Sequence, residues 1–111
     1  MTDEKWQQMW DAAQTVQRYL YVDKIVPRSL TVNEQRVEVD VEWGCLGAAA
    51  VRLFDLAGSL PIREYTGAEY VIRSVTGLAD DGVTVKITAT RKRMWSQPAG
   101  TVADLLAGEQ R

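Results

Sequence analysis

Two contrasting stretches meet near the middle of the chain and constrain its fold more than any other feature. From Arg36 to Trp43, apolar residues alternate with glutamate or aspartate, which is the period of a β-strand with one buried face. From Leu46 to Ala57 only one arginine and one aspartate interrupt an apolar sequence, so a helix formed there has to be covered on most of its circumference. We therefore expect a strand followed by a buried helix at the centre of a small core.

The length, composition and net charge of the chain limit the class of protein it can belong to. The 111 residues predict one domain, 1–111, with the 46% apolar and 25% charged residues of an ordinary globular protein. A net charge of −2 gives no general attraction to nucleic acid or acidic membranes, so such a partner would require a local basic patch. No apolar run reaches the roughly 18 residues that a membrane span needs. The acidic start of the chain is unlike a secretory leader.

Histidine is absent and cysteine occurs once, as Cys45. Without an imidazole the chain cannot use Ser-His or Cys-His catalysis. One thiol can neither close an intramolecular disulfide nor build a thiolate zinc site, and a single unbridged thiol fits a reducing compartment. We therefore expect a cytoplasmic protein that is not an enzyme and uses no cofactor or metal.

Three further segments have recognisable patterns. Apolar residues at helical spacing predict a helix from about Asp3 to Tyr19, and the turn-forming residues Asn33 to Gln35 predict a hairpin that leads into the central strand. Ser59 to Gly67 is expected to be a loop or an irregular strand. Near the end, Thr101 is placed to cap a short final helix with an apolar face.

A second hairpin is expected between Glu69–Thr76 and Val83–Lys92, with a glycine in the turn between them. Its register stays open, because a shift of one residue inverts every side chain of a strand. A three-residue loop would bury Val71 and Val75, whereas a loop of two or four residues would bury Tyr70, Ile72 and Leu78.

These elements predict an α+β fold. We expect an N-terminal helix, then strand-strand-helix-strand-strand, and a short C-terminal helix. The strands would form a mostly antiparallel sheet of about four strands with helices packed on one face. This order of elements resembles that of many small bacterial and bacteriophage proteins, and the resemblance implies no particular activity.

The two predicted helices have more apolar surface than the sheet is expected to cover. This surplus indicates a protein that works by contact with other proteins. Trp6, Met9 and Trp10 form a stripe on the first helix, and Val51 and Phe54 lie on the second. An apolar patch left uncovered marks a protein interface, and symmetric dimers are the commonest oligomers. We therefore expect a homodimer that uses these residues. The alternative is that the stripe packs on the body of the domain.

A second possible function is nucleic-acid binding. Arg91, Lys92 and Arg93, followed by Met94 and Trp95, are the one concentration of positive charge beside an aromatic residue. Such residues can hold phosphates and stack on a base. Alternation along a strand would send Lys92 to the face opposite its neighbours. The alternative is a solvated strand end whose Trp95 packs back on the core.

Acidic residues alternate on the central strand. Glu38, Asp40 and Glu42 would project from one face, and clustered carboxylates can hold Mg²⁺ or Ca²⁺. The same pattern arises on a solvated outer face whose acids pair with Lys86 or with arginines. We expect no metal there.

Overall fold

The computed structural model of the chain describes residues 3–55, 57–79, 82–93 and 100–109. Its helices and strands confirm the α+β class. The helices are α1 (Asp3–Val22), α2 (Leu46–Leu53) and α3 (Val102–Glu109). The strands are β1 (Ser29–Val32), β2 (Val37–Asp40), β3 (Arg63–Thr66), β4 (Tyr70–Leu78) and β5 (Thr84–Lys92).

The strands form one mixed sheet in the order β1-β2-β5-β4-β3. β2 and β5 are parallel at its centre, and the other neighbouring pairs are antiparallel, so the sheet is mostly antiparallel as predicted. It has five strands, not about four, because β3 lies within the segment expected to be a loop or an irregular strand. Every residue of β3 is exposed, so the segment lacks the apolar alternation that predicts a strand.

Both predicted hairpins are present. In the first, the Asn33 side-chain oxygen accepts hydrogen bonds from the backbone N–H groups of Gln35 and Arg36 at 2.8 and 2.9 Å, which fixes the turn. In the second, the register is the one with a three-residue loop, and Val71 and Val75 are buried. Gly82, at φ +81°, supplies the left-handed conformation that this turn requires.

Helix α1 is longer than predicted and has a well-defined end. After its last residue the chain makes a Schellman motif: the N–H of Ile25 donates to the carbonyl of Leu20 at 3.0 Å, and the N–H of Lys24 donates to that of Tyr21 at 2.8 Å. Lys24 occupies the left-handed position of the motif, at φ 57°. The helix therefore stops because its last carbonyls are satisfied by the following backbone.

Helix α2 is shorter than predicted, because it ends at Leu53 and not at Ala57. Phe54 is extended, with φ −124° and ψ 135°, and its N–H still donates to the carbonyl of Ala50 at 2.9 Å. Leaving the helix buries the ring to 5% exposure. A 3₁₀ turn, Ala57–Ser59, follows.

The three helices lie on one face of the sheet, as predicted. Helix α1 contacts β1, β2 and α2, helix α2 contacts β5, and helix α3 contacts α2 and the turn Ala57–Ser59. The predicted cap is confirmed: the Thr101 hydroxyl accepts from the N–H of Asp104 at 3.3 Å, and the Asp104 carboxylate accepts from the N–H of Thr101 at 3.1 Å. None of the described helices has both the length and the apolar character needed to cross a membrane.

The two faces of the sheet differ. Val37, Val39, Val85, Ile87 and Val75 point to the helices and are fully buried. The opposite side, which we term the open face, carries side chains that are partly or largely exposed on β2, β4 and β5. Any surface that binds a partner is therefore to be sought on this face or on the outer sides of the helices.

Candidate functional site

The residues predicted to contact a protein partner are divided by the fold. Trp6, Trp10 and Val51 are exposed, with Trp10 at 53%. Met9 is 1% exposed, because it lies on the side of α1 that packs on the body of the domain, and Phe54 is buried because it leaves helix α2. Met9 and Phe54 therefore cannot belong to an exposed interface, and the prediction is corrected for these two residues.

The apolar surface of α2 is also largely covered. Leu46, Ala49 and Ala50 are fully buried beneath the sheet and the neighbouring helices. On α1, exposed aromatic side chains remain at Trp6, Trp10 and Tyr21. With 3.6 residues per turn these three positions fall within ~60° of one another around the helix axis, so they form one stripe, here called the α1 stripe.

The fold also separates the three basic residues at the end of β5. Arg91 lies on the side that faces the helices, where its guanidinium carbon is 4.4 Å from the centre of the Trp43 ring. Lys92 lies on the open face, as alternation predicted. Arg93 follows the strand, and its N–H donates to the carbonyl of Glu69 at 2.7 Å. Met94 and Trp95 lie outside the described residues. Arg91, Lys92 and Arg93 therefore do not form one continuous patch.

Trp43 also stacks on a second arginine, which the sequence pattern did not single out. The guanidinium carbon of Arg73 is 4.6 Å from the Trp43 ring centre, and Arg73 is 4% exposed. The Glu64 carboxylate lies 3.5 Å from the Arg73 side chain. These contacts form a partly exposed polar cluster in which an aromatic ring and a carboxylate stabilise the buried Arg73 and the neighbouring Arg91. In the sequence, the one sign of this cluster is an arginine at a helix-facing position of β4.

The acidic residues of β2 have protein partners. The Glu38 carboxylate is 2.9 Å from the Arg36 guanidinium, and the Asp40 carboxylate accepts a hydrogen bond from Thr88 at 3.0 Å. Glu42 is exposed beyond the end of the strand. In the part of the chain that the structure describes, no three acidic or thiol side chains are grouped as a metal site would require.

The open face of β3, β4 and β5 has a different character. Its side chains include cations, tyrosines and several hydroxyl groups, and none of them is a carboxylate. The outward residues are Arg63 and Tyr65 of β3; Tyr70, Ile72, Ser74, Thr76 and Leu78 of β4; and Thr84, Lys86, Thr88, Thr90 and Lys92 of β5. The one acid on these strands, Glu64, is opposite Arg73 on the helix-facing side.

Aromatic and aliphatic side chains lie together near one end of this face. Tyr65 is directly opposite Ile72, and Tyr70 is directly opposite Lys92. Tyr65 is 68% exposed, and Tyr70 and Ile72 are also exposed. A flat apolar surface beside a lysine can accept a planar ligand by stacking on the phenol rings.

Two hollows lie at the two ends of β4, and cations line both. One, of about 470 Å³, is lined by Ala68, Glu69, Tyr70, Lys92 and Arg93, and we term it the Lys92 hollow. The other, of about 280 Å³, is lined by Arg36, Pro61, Arg63 and Thr76, and we term it the Arg63 hollow. Lys86 is opposite Thr76 on the neighbouring strand. The open face thus offers positive charge at both ends of a row of hydroxyl groups.

Comparison with known proteins assigns no family. No family model matches the chain, and no curated protein matches it. Among solved structures, one described as the Cid1 poly(U) polymerase aligns with 80% of this chain at 13% identity and a TM-score of 0.47. The chain covers 31% of that protein.

Proposed function

We propose that the chain is a non-catalytic nucleic-acid-binding module that uses the open face of β3, β4 and β5. One observation carries the proposal: the outward positions of these three strands hold Arg63, Lys86 and Lys92, two exposed tyrosines, and no carboxylate. The outward acids of the neighbouring β2 have partners, Glu38 in Arg36 and Asp40 in Thr88. The chain as a whole has a net charge of −2. The acids of the open face lie at its borders: Glu38 and Asp40 are on β2, opposite Lys86 and Thr88, and Glu69 lines the Lys92 hollow. The outward positions of β3, β4 and β5 thus carry cations without acids on a chain whose net charge is negative.

Each type of side chain on the face has a use in such a complex. Lysine and arginine bind phosphates and release the counterions condensed on the nucleic acid, which makes the affinity depend on salt. Serine and threonine hydroxyls donate hydrogen bonds to phosphate and sugar oxygens. Tyrosine rings stack on bases. Of the residues predicted from the sequence, Lys92 and Arg93 belong to this surface, whereas Arg91 is stacked on Trp43.

The test is a titration of fluorescently labelled oligonucleotides, followed by anisotropy at increasing salt. We expect binding that weakens as salt rises, and a weaker affinity with a smaller salt slope for Lys92→Ala and for Arg63→Ala. Arg18→Ala is the matched control, because it removes one charge from an exposed position on α1. The proposal fails if no oligonucleotide binds at low salt, or if Arg18→Ala has the same effect as the open-face variants.

A second candidate function is protein contact through self-association, and the α1 stripe supports it. This stripe exposes the aromatic side chains of Trp6, Trp10 and Tyr21 on one side of a long helix, as a protein interface does. Light scattering on the eluting protein tests this candidate. A dimeric mass that becomes monomeric in Trp10→Asp, and not in the control Gln8→Asp on the opposite side of the helix, would support it. A monomer at all concentrations would contradict it.

A cytoplasmic location is part of the proposal. The single thiol of Cys45 supports a reducing compartment. Labelling of the protein in cells with a fluorescent tag tests the location directly.

A further inference from the structure

We infer that the ligand of the open face is a single strand of nucleic acid that runs along β4 and β5 from the Arg63 hollow to the Lys92 hollow. This inference rests on the proposed function and specifies its ligand. Three features carry it: the shape of the face, the exposed tyrosines at the Lys92 hollow and the distance between the two cationic ends.

The shape of the face argues against a duplex. At ~4.8 Å between strands, the five-stranded sheet is ~19 Å across from one outer strand axis to the other. The major groove of B-DNA is ~12 Å wide and admits a helix or a two-stranded ribbon. The sheet therefore cannot enter the groove and could contact a duplex only along its phosphates.

The tyrosines favour a strand whose bases are unpaired. Tyr65 and Tyr70 expose their rings near the Lys92 hollow, with Ile72 between them on the same face. In a duplex the flat faces of the bases are already covered by their neighbours. In a single strand those faces are free to stack on an aromatic side chain, whatever the sequence. The exposed rings are thus useful to a single strand and of little use to a duplex.

The separation of the two hollows sets a length for the ligand. Thr76 lines one hollow and Tyr70 lines the other, and these residues are six positions apart on β4. Six strand residues span ~20 Å. At ~3.4 Å per phosphate in a stacked strand, this distance corresponds to at most about six nucleotides, because bases that turn onto the tyrosines leave the strand more extended. A strand that reaches both hollows binds at both ends, whereas a shorter one contacts one pair of cations.

An acidic peptide is the competing occupant, because it would also be attracted to Arg63, Lys86 and Lys92. It differs in what it needs from the tyrosines. A carboxylate-rich peptide gains little from an aromatic ring, whereas each stacked base loses affinity when the ring is removed. Substitutions of the tyrosines therefore separate the two ligands.

The experiment measures the anisotropy of labelled oligonucleotides of two to twelve nucleotides, together with the twelve-nucleotide sequence as a duplex. We expect the single strand to bind at least about tenfold more tightly than the duplex, with affinity rising up to about six nucleotides and then levelling. Tyr65→Leu and Tyr70→Leu should each weaken binding about tenfold, whereas Tyr70→Phe should bind as the parent does. Tyr21→Leu, an exposed tyrosine on α1, is the control and should have no effect.

The outcomes separate this inference from the function on which it rests. Equal affinity for the single strand and the duplex, or no effect of the tyrosine substitutions, would overturn the single-strand inference and leave nucleic-acid binding in place. Binding of a polyglutamate peptide with no binding of any oligonucleotide would overturn both. Circular dichroism of each variant shows that a loss of binding is not a loss of folding.

Discussion

The ring of Phe54 occupies the space that a side chain at position 77 would need. A Cβ atom placed on Gly77 would lie 2.9 Å from two atoms of that ring, closer than carbon atoms pack in proteins. Gly77 is in β4 on the side that faces the helices, and Phe54 has left helix α2 to reach it. The end of helix α2 and the glycine at position 77 therefore depend on each other, because the ring released by the helix fills the space that the glycine leaves.

Replacing Gly77 by alanine should destabilise the protein. The added methyl group forces the Phe54 ring or the strand to move, and overpacking of this kind costs about 1–3 kcal/mol. Urea unfolding of Gly77→Ala measures the loss. Gly44→Ala is the matched control, because its Cβ would meet no atom within 4 Å. Equal stability of the two variants would show that the ring moves aside without cost.

Replacing Trp43 by leucine should also destabilise the protein, and replacement by phenylalanine should do so less. The leucine removes the aromatic face on which Arg73 and Arg91 stack, at 4.6 and 4.4 Å from the ring centre. A cation–π contact contributes about 0.5–2 kcal/mol, so losing both should cost about 1–4 kcal/mol. Urea midpoints of the two variants provide the measurement. If both variants lose the same stability, the arginines do not depend on an aromatic ring.

Lys24→Gly should make the protein more stable. Lys24 has φ 57° at the end of α1, a conformation that costs a residue with a side chain roughly 1–2 kcal/mol and costs glycine little. Because glycine is also more flexible in the unfolded chain, the net gain should be about 1 kcal/mol or less. Thermal unfolding measures it. Lys24→Ala keeps the strained conformation without the lysine charge, so a gain in that variant as well would assign the effect to charge.

The ion pair between Asp23 and Arg52 should make a small contribution to stability that depends on pH. Arg52 donates two hydrogen bonds to the Asp23 carboxylate, at 2.6 and 2.9 Å, and this lowers the pKa of Asp23 below its ordinary value. A carboxyl with a lowered pKa stabilises the fold above its ordinary pKa and loses that contribution as pH falls through its value in the folded state.

The measurement for this pair is the melting temperature of Asp23→Asn and the parent from pH 7 down to pH 2. We expect the variant to melt slightly below the parent at pH 7 and the difference to vanish in acid. The pair is exposed, so high salt should reduce the difference at pH 7. A difference that persists at pH 2 would mean that the asparagine disturbs the fold in some other way.

The sequence predicts best the elements whose burial shows in the local pattern. Val37, Val39 and Val41 alternate with acids and are fully buried on the helix side of the sheet. The helix that follows ends at Leu53 and not at Ala57, because Phe54 leaves it and places its ring over the distant Gly77. Strand β3 lies where the sequence predicts either a loop or an irregular strand, because all its residues are exposed and only its hydrogen bonds to β4 make it a strand. Long-range contacts thus decided what local periodicity could not.

The candidate site also depends on long-range contacts that the local sequence does not show. Arg91, Lys92 and Arg93 are adjacent in the chain and so predict one basic patch, but the fold places Arg91 and Lys92 on opposite faces of the sheet. The open face instead gathers Arg63, Tyr65 and Lys92 from different strands. Their proximity depends on the register of the second hairpin, which the sequence left open, and on β3, for which it predicts either a loop or an irregular strand.

The parallel pairing at the centre of the sheet has a consequence for how the chain folds as it is synthesised. Asp40 and Thr88, which face each other across β2 and β5, are 48 residues apart. The hairpin of β1 and β2 can form early from local contacts, but one edge of β2 then stays unpaired until β5 has left the ribosome. Closing so long a loop is slow compared with forming a hairpin, and an open strand edge invites pairing with other chains. A nascent chain whose strand β5 has not yet left the ribosome is therefore the form of this protein that most needs a chaperone.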